Sequence, residues 1–152
     1  MSNHSLCTNH APWINGAQGA LFWDLSDSDD IAYAIARQIS KEAYLASAYL
    51  LEPDAGLAAT IDSSAGSHTA QFILKKHPDY GPPSYNDLMM LMVCNNASIT
   101  ATINISIPGD QIVSMGPLVY TYNWNYSLNN NLITLEMAPY TARAFILYVP
   151  SD

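Results

Sequence analysis

Ile99, Ala101, Ile103, Ile105 and Ile107 alternate without a break with Ser98, Thr100, Thr102, Asn104 and Ser106. Side chains of a strand point to opposite faces in turn, so this pattern gives one apolar face and one wet face. A helix would scatter the same residues around its circumference. The segment predicts a strand of an antiparallel sheet with one face in a core.

The surrounding chain extends that reading. Residues 88–93 are continuously apolar, which suits a central strand covered on both faces. Asn95-Asn96 lies between the two runs and suggests a hairpin turn, because Asn tolerates left-handed backbone. Further strands are expected over 57–61, 69–75, 118–125, 132–137 and 141–149. Turn signals separate them at 63–67, 77–83, Pro108-Gly109 and 129–131. Short strands with such punctuation indicate a sandwich or barrel. Alternation places Ile99, Ile103, Ile105, Leu135 and Ile146 in the core.

Ahead of the strands the period changes. Ile31, Ile35, Ile39, Ala43, Ala46 and Leu50 recur every three or four residues and form one apolar stripe. Ser26 and Asp29 have capping-box spacing, acids fill the first turn, and Pro53 and Gly56 end the run. This predicts an amphipathic helix over about 28–51. The stripe must be covered, by the sandwich or by a second copy of the chain. Before it, GAQGALFWDL reads as a short buried strand ending near Trp23 or Asp24. The fold expected is mainly β: an antiparallel sandwich of about seven or eight strands, preceded by one long amphipathic α-helix. Residues 1–53 hold an irregular N-terminus, the short strand and the helix, and residues 54–152 form the sandwich.

Composition narrows the partners. Only five residues are cationic against thirteen acids, a net charge of −8. Nucleic-acid binding needs cations that displace counterions from phosphates, so that role is disfavoured. An anionic membrane surface is disfavoured on the same ground, and no run approaches the roughly 20 apolar residues of a membrane span. Charged residues make up 12% of the chain, and Asn, Ser and Thr supply most of its polarity. A neutral carbohydrate meets no repulsion from such a surface. The N-terminus lacks the basic and apolar regions of a signal peptide, so an exported protein would have its beginning elsewhere.

No catalytic constellation stands out. His4, Cys7 and His10 are zinc-ligand types, but a polar terminus offers no fourth ligand or rigid frame. Asp24, Asp27, Asp29 and Asp30 lack the Gly and terminal Glu of a calcium loop, and helix capping accounts for them. Asp62, Asp79, Asp87, Asp110 and Glu136 are scattered over strand ends and turns, with nothing marking two as a glycosidase pair. His68 and His77 have no nucleophile motif nearby. No metal or cofactor is implied. Cys94 sits in an apolar run and reads as a small buried hydrophobe, and Cys7 lies in a polar stretch. A bridge between them is open, with no sequence support. Asn-x-Ser sequons occur at Asn3, Asn96, Asn104 and Asn125.

Leu118, Tyr120, Tyr122, Trp124 and Tyr126 share one parity over 118–126. Aromatic rings stack on sugar faces, and a sandwich core needs the same stripe. The early rings read as core. Trp124 and Tyr126, near the strand end with Asn125 beside them, are candidates to contact sugar.

The order of these elements resembles the C-terminal portion of a glycoside hydrolase with a (β/α)8 barrel and an appended β-sandwich. In that resemblance 16–24 matches the last barrel strand and 28–51 the last barrel helix. Met137-Ala138-Pro139-Tyr140-Thr141-Ala142 is similar to the closing strand of such sandwiches. The resemblance implies a sugar-subsite aromatic at Trp23 and a secreted or periplasmic parent enzyme. It assigns no catalytic residue here, because those residues come from earlier barrel strands that this chain lacks. The function expected is a non-catalytic accessory region that contacts neutral carbohydrate. A stand-alone carbohydrate-binding module, or an oligomerisation domain using the helix 28–51 face, is the alternative.

Overall fold

The structure is a computed structural model and describes Ile14 and residues 30–77, 87–108, 112–118 and 125–149. The expected strand at 16–24 lies outside the described residues.

Helix α1 spans Asp30–Leu50 and is followed by eight strands. They are β1 (Thr60–Ser63), β2 (Ala70–Lys76), β3 (Leu88–Asn95), β4 (Ala101–Ser106), β5 (Ser114–Pro117), β6 (Tyr126–Asn129), β7 (Leu132–Met137) and β8 (Thr141–Tyr148). They form two antiparallel four-stranded sheets packed as a sandwich, ordered β1-β4-β7-β6 and β2-β3-β8-β5. The mainly β sandwich with one preceding helix is therefore the fold. Burial follows parity: Ala101, Ile103 and Ile105 of β4, and Ile133, Leu135 and Met137 of β7, turn inward. Leu91, Val93, Phe145 and Leu147 meet them from the other sheet.

The apolar run of β3 is covered on both sides. Its odd residues face the other sheet, and Met90 and Met92 face α1, where Ala46 and Tyr49 are buried among them. Ala144 and the half-buried Ile146 of β8 belong to this second cluster, so Ile146 serves the helix-facing layer. Ala43, Ala46 and Leu50 of the stripe thus lie on the sheet. The side chains of Ile31, Ile35 and Ile39 lie outside the described residues. After the helix, Lys75 Nζ sits 2.8 Å from Asp54 Oδ1 and 3.1 Å from the Glu52 carbonyl. With Ala55 N–H donating to Leu74 O, these contacts lay the connector along the edge of β2.

Of the five connections that cross from one sheet to the other, three can be followed together: β1 to β2, β3 to β4 and β7 to β8. They lie side by side at one end. Asn96 N–H of the second donates to Thr69 O of the first, and Tyr140 N–H of the third donates to Ala97 O of the second. The hairpin expected at Asn95-Asn96 is therefore corrected to an arch between sheets. Asn95 is fully buried and ties arches together, which a tight turn cannot require of it. Ile99 lies in that arch and is 56% exposed, so its expected burial fails where β4 has not yet begun. The β6–β7 hairpin does turn through Asn residues, with Asn130 at φ 52° in the left-handed region that Asn tolerates.

Cys94 is fully buried, as its apolar setting implies, and it is disulfide-bonded. The chain's other cysteine, Cys7, lies outside the described residues.

Candidate functional site

The edge strands β5 and β6 are short, and this opens the side of the sandwich. β5 pairs only with Phe145–Tyr148 of β8, and β6 only with Leu132–Leu135 of β7. One further backbone bond continues each edge: Leu118 N–H to Ala144 O, and Glu136 N–H to Asn125 O. Next to the arches a cleft of about 240 Å³ lies between the two sheets. Thr100, Asn125, Glu136 and Arg143 give it polar groups, and Leu135 and Phe145 are among its apolar walls.

Each polar residue arrives by a different route. Thr100 ends the arch before β4. Asn125 precedes β6, and its carbonyl is fixed by Glu136. Glu136 has the outward parity of β7 and is exposed. Arg143 is the unusual one. Opposite residues of an antiparallel pair share a face. Arg143 is registered with Val93, and shares parity with Phe145 and Leu147, so it occupies an inward position of β8. Charged side chains are seldom buried without partners, and here the position opens into the cleft. Its Nη1 donates to the Ala142 carbonyl at 2.8 Å, which bends the side chain back along its own strand.

Of the candidate sugar contacts, Asn125 lines this cleft. Tyr126 is adjacent but engaged. Its ring meets Phe145 edge-on at 5.5 Å, and its hydroxyl donates to Met115 O at 3.2 Å. It therefore links the edge of one sheet to the edge of the other. Trp23 and Trp124 lie outside the described residues, as do Tyr120 and Tyr122. So do His4, His10, Asp24, Asp27, Asp29, Asp79 and Asp110. Asp62 and Glu136 share the outer face of their sheet, on β1 and β7, and do not oppose one another across a cleft. Among the described residues no group of three or more His, Cys, Asp or Glu could hold a metal ion. No described helix is long and apolar enough to cross a membrane. Two further hollows flank the second sheet, one beside Gly56 and Phe72 and one beside Pro117 and Tyr148, with apolar linings.

Sequence reasoning missed Thr100 and Arg143, and took Glu136 only as one of the scattered acids. Thr100 and Glu136 carry no local signal. Arg143 does carry one: it is a cation in the column Arg143, Phe145, Leu147 of a strand that is apolar or aromatic at every other position after Thr141.

No protein-family model matches the chain, and no curated protein matches it.

Proposed function

We propose that the chain is a non-catalytic accessory β-sandwich region of a glycoside-hydrolase-like protein, and that it contacts neutral carbohydrate. The observation that carries this reading is the cleft beside β7 and β8. Among the described residues its lining mixes hydrogen-bond donors and acceptors and holds neither a facing carboxylate pair nor a nucleophile beside a base. Such a lining suits a hydroxyl-rich ligand. The helix laid over the outer face of one sheet agrees with an element shared between a sandwich and a preceding domain. The disulfide at Cys94 suits an oxidising compartment, as the resemblance to secreted or periplasmic enzymes implies. The test is to assay pure chain against a panel of aryl glycosides. No turnover above buffer is expected. Reproducible hydrolysis that is lost on replacing one acid ends the accessory reading.

A protein-interaction role is favoured by a separate observation. Tyr44 is 79% and Leu51 64% exposed, on and just after the helix. Rising mass with concentration in light scattering, without sugar binding, would select this second reading.

A further inference from the structure

We infer that Asn96 is an acceptor for N-linked glycosylation, modified as the chain passes through the oxidising lumen of a secretory pathway. The inference stands apart from the accessory reading, since here the sugar is attached to the protein and not held by it.

The chain has four Asn-x-Ser sequons, and the structure sorts them. The motif marks an acceptor where it lies on a surface loop of a secreted protein and its middle residue is not proline. Asn96-Ala97-Ser98 has that setting. β3 ends at Asn95 and β4 begins at Ala101, so the triplet lies wholly in the arch between the sheets. Asn96 and Ser98 are exposed, and Ala97 between them is buried. The backbone beneath them is fixed. Asn96 N–H donates to Thr69 O at 2.7 Å, and Ala97 N–H donates to Asn95 Oδ1 at 3.0 Å. Both outward side chains stand on a tied arch, and a glycan on the first can extend into solvent without displacing a core residue.

The other described sequons are placed differently. Asn104-Ile105-Ser106 lies inside β4, which is paired on both sides with β1 and β7. Asn104 is half-buried, and its Oδ1 accepts from the Thr134 hydroxyl at 2.9 Å. A glycan there would have to lie across a paired sheet. Asn125-Tyr126-Ser127 runs into β6, and its middle residue holds the two sheet edges together through Phe145 and Met115 O. Asn3 lies outside the described residues.

A separate feature points to the compartment. Cys94 is disulfide-bonded, and disulfides form and persist in oxidising compartments. Asn96 Oδ1 lies 3.3 Å from Cys94 Sγ. One short stretch of chain therefore carries an oxidised sulfur and an exposed sequon, and a secretory lumen supplies the chemistry of both. In the attachment step the Nδ2 of Asn96 forms a bond to the anomeric carbon of a lipid-diphosphate-linked oligosaccharide. The bond from that carbon to the diphosphate oxygen breaks, the amide gives up one proton, and the lipid diphosphate leaves with the electron pair. The glycan also has a local use. Ile99 is 56% exposed in the same arch, and a hydrated neighbour would shield it. With charged residues at 12% of the chain, charge repulsion offers such a patch little protection.

The experiment expresses the full chain behind a secretion signal in cultured eukaryotic cells and recovers it from cells and medium alike. Enzymatic release of N-glycans converts each occupied Asn to Asp, which peptide mass mapping reads. Asn96 should be converted in most of the chain, and Asn104 in a smaller share. Asn96→Gln and Ser98→Ala should each remove one glycan from the intact mass, and Ser98→Thr should retain it. Recovery from the cells means that a variant too unstable to be secreted is still read. An unconverted Asn96 overturns the inference, as does higher occupancy at Asn104, or an intact mass indifferent to Asn96→Gln.

Discussion

The side-chain amide nitrogen of Asn95 lies 3.0 Å from the carbonyl oxygen of Met137, forty-two residues along the chain. The same nitrogen reaches Ala138 O at 3.0 Å and Ile99 O at 3.1 Å, and its Oδ1 accepts from Ala97 N–H at 3.0 Å. An amide has two hydrogens for these three carbonyls, so one hydrogen is shared. Asn95 thus joins the β3–β4 arch to the β7–β8 arch from a fully buried position. Asn95→Leu keeps the branched shape and removes the partner of Met137 O and Ala97 N–H, whose bonds to Asn95 are the buried ones. Each buried unsatisfied group costs about 1–3 kcal/mol, so a loss of about 3–5 kcal/mol is expected in urea denaturation. A loss under about 1 kcal/mol would mean the arches hold without the amide.

Ile99 and Ile103 have the same parity and opposite fates. Ile99 is 56% exposed in the arch, and Ile103 is fully buried in β4. Ile99→Ser should change stability by less than about 0.5 kcal/mol. Ile103→Ala should cost about 2–5 kcal/mol through lost burial and a cavity between the sheets. Equal costs would place Ile99 in the core and shift the start of the strand.

These two positions show what the sequence could disclose. Period-two alternation sets the inward face of β4 and β7, because neighbouring residues along a strand must diverge. The continuous apolar run 88–93 likewise announces a strand covered twice, and α1 supplies the second cover. Sheet membership is another matter. Asn95-Asn96 has hairpin chemistry, yet the two strands it joins lie in different sheets, since a left-handed-tolerant pair serves an arch as well as a turn. β5 and β6 carry too few residues for a period, and Pro117 disguises the first, where an edge strand can accept it. The cleft was legible only through Asn125 and, to a closer eye, the inward Arg143. Glu136 and Thr100 join it through register and arch placement, which no local pattern encodes.

The disulfide at Cys94 yields a measurement that needs no mutation. Removing a native disulfide costs about 2–4 kcal/mol, which corresponds to roughly 4–16 °C in Tm for a domain of this size. Reductant should lower the wild-type Tm by an amount in that range and leave Cys94→Ala unmoved. Equal Tm with and without reductant, in protein shown by mass to be oxidised, would mean the bond does not stabilise the fold.

Tyr49 and Tyr44 stand on the same helix and face different surroundings. Tyr49 is 9% exposed, packs among Met90, Met92 and Ala144, and meets the His77 ring edge-on at 5.1 Å. Tyr44 is 79% exposed. If α1 is docked on the sheet in solution, Tyr49→Ala should cost about 3–5 kcal/mol, the range for truncating a buried aromatic. The slope of the urea transition should stay unchanged, since the same surface unfolds. A cost below about 0.5 kcal/mol would mean that the helix leaves the sheet and contributes nothing to the sandwich. Tyr44→Ala tests the other side. In dilute protein it should alter stability by less than about 0.5 kcal/mol. If the exposed helix face pairs with a second copy, the wild-type Tm should rise with protein concentration by mass action, and Tyr44→Ala should flatten that dependence. A wild-type Tm independent of concentration rules out the paired helix and leaves Tyr44 to a different partner or to solvent.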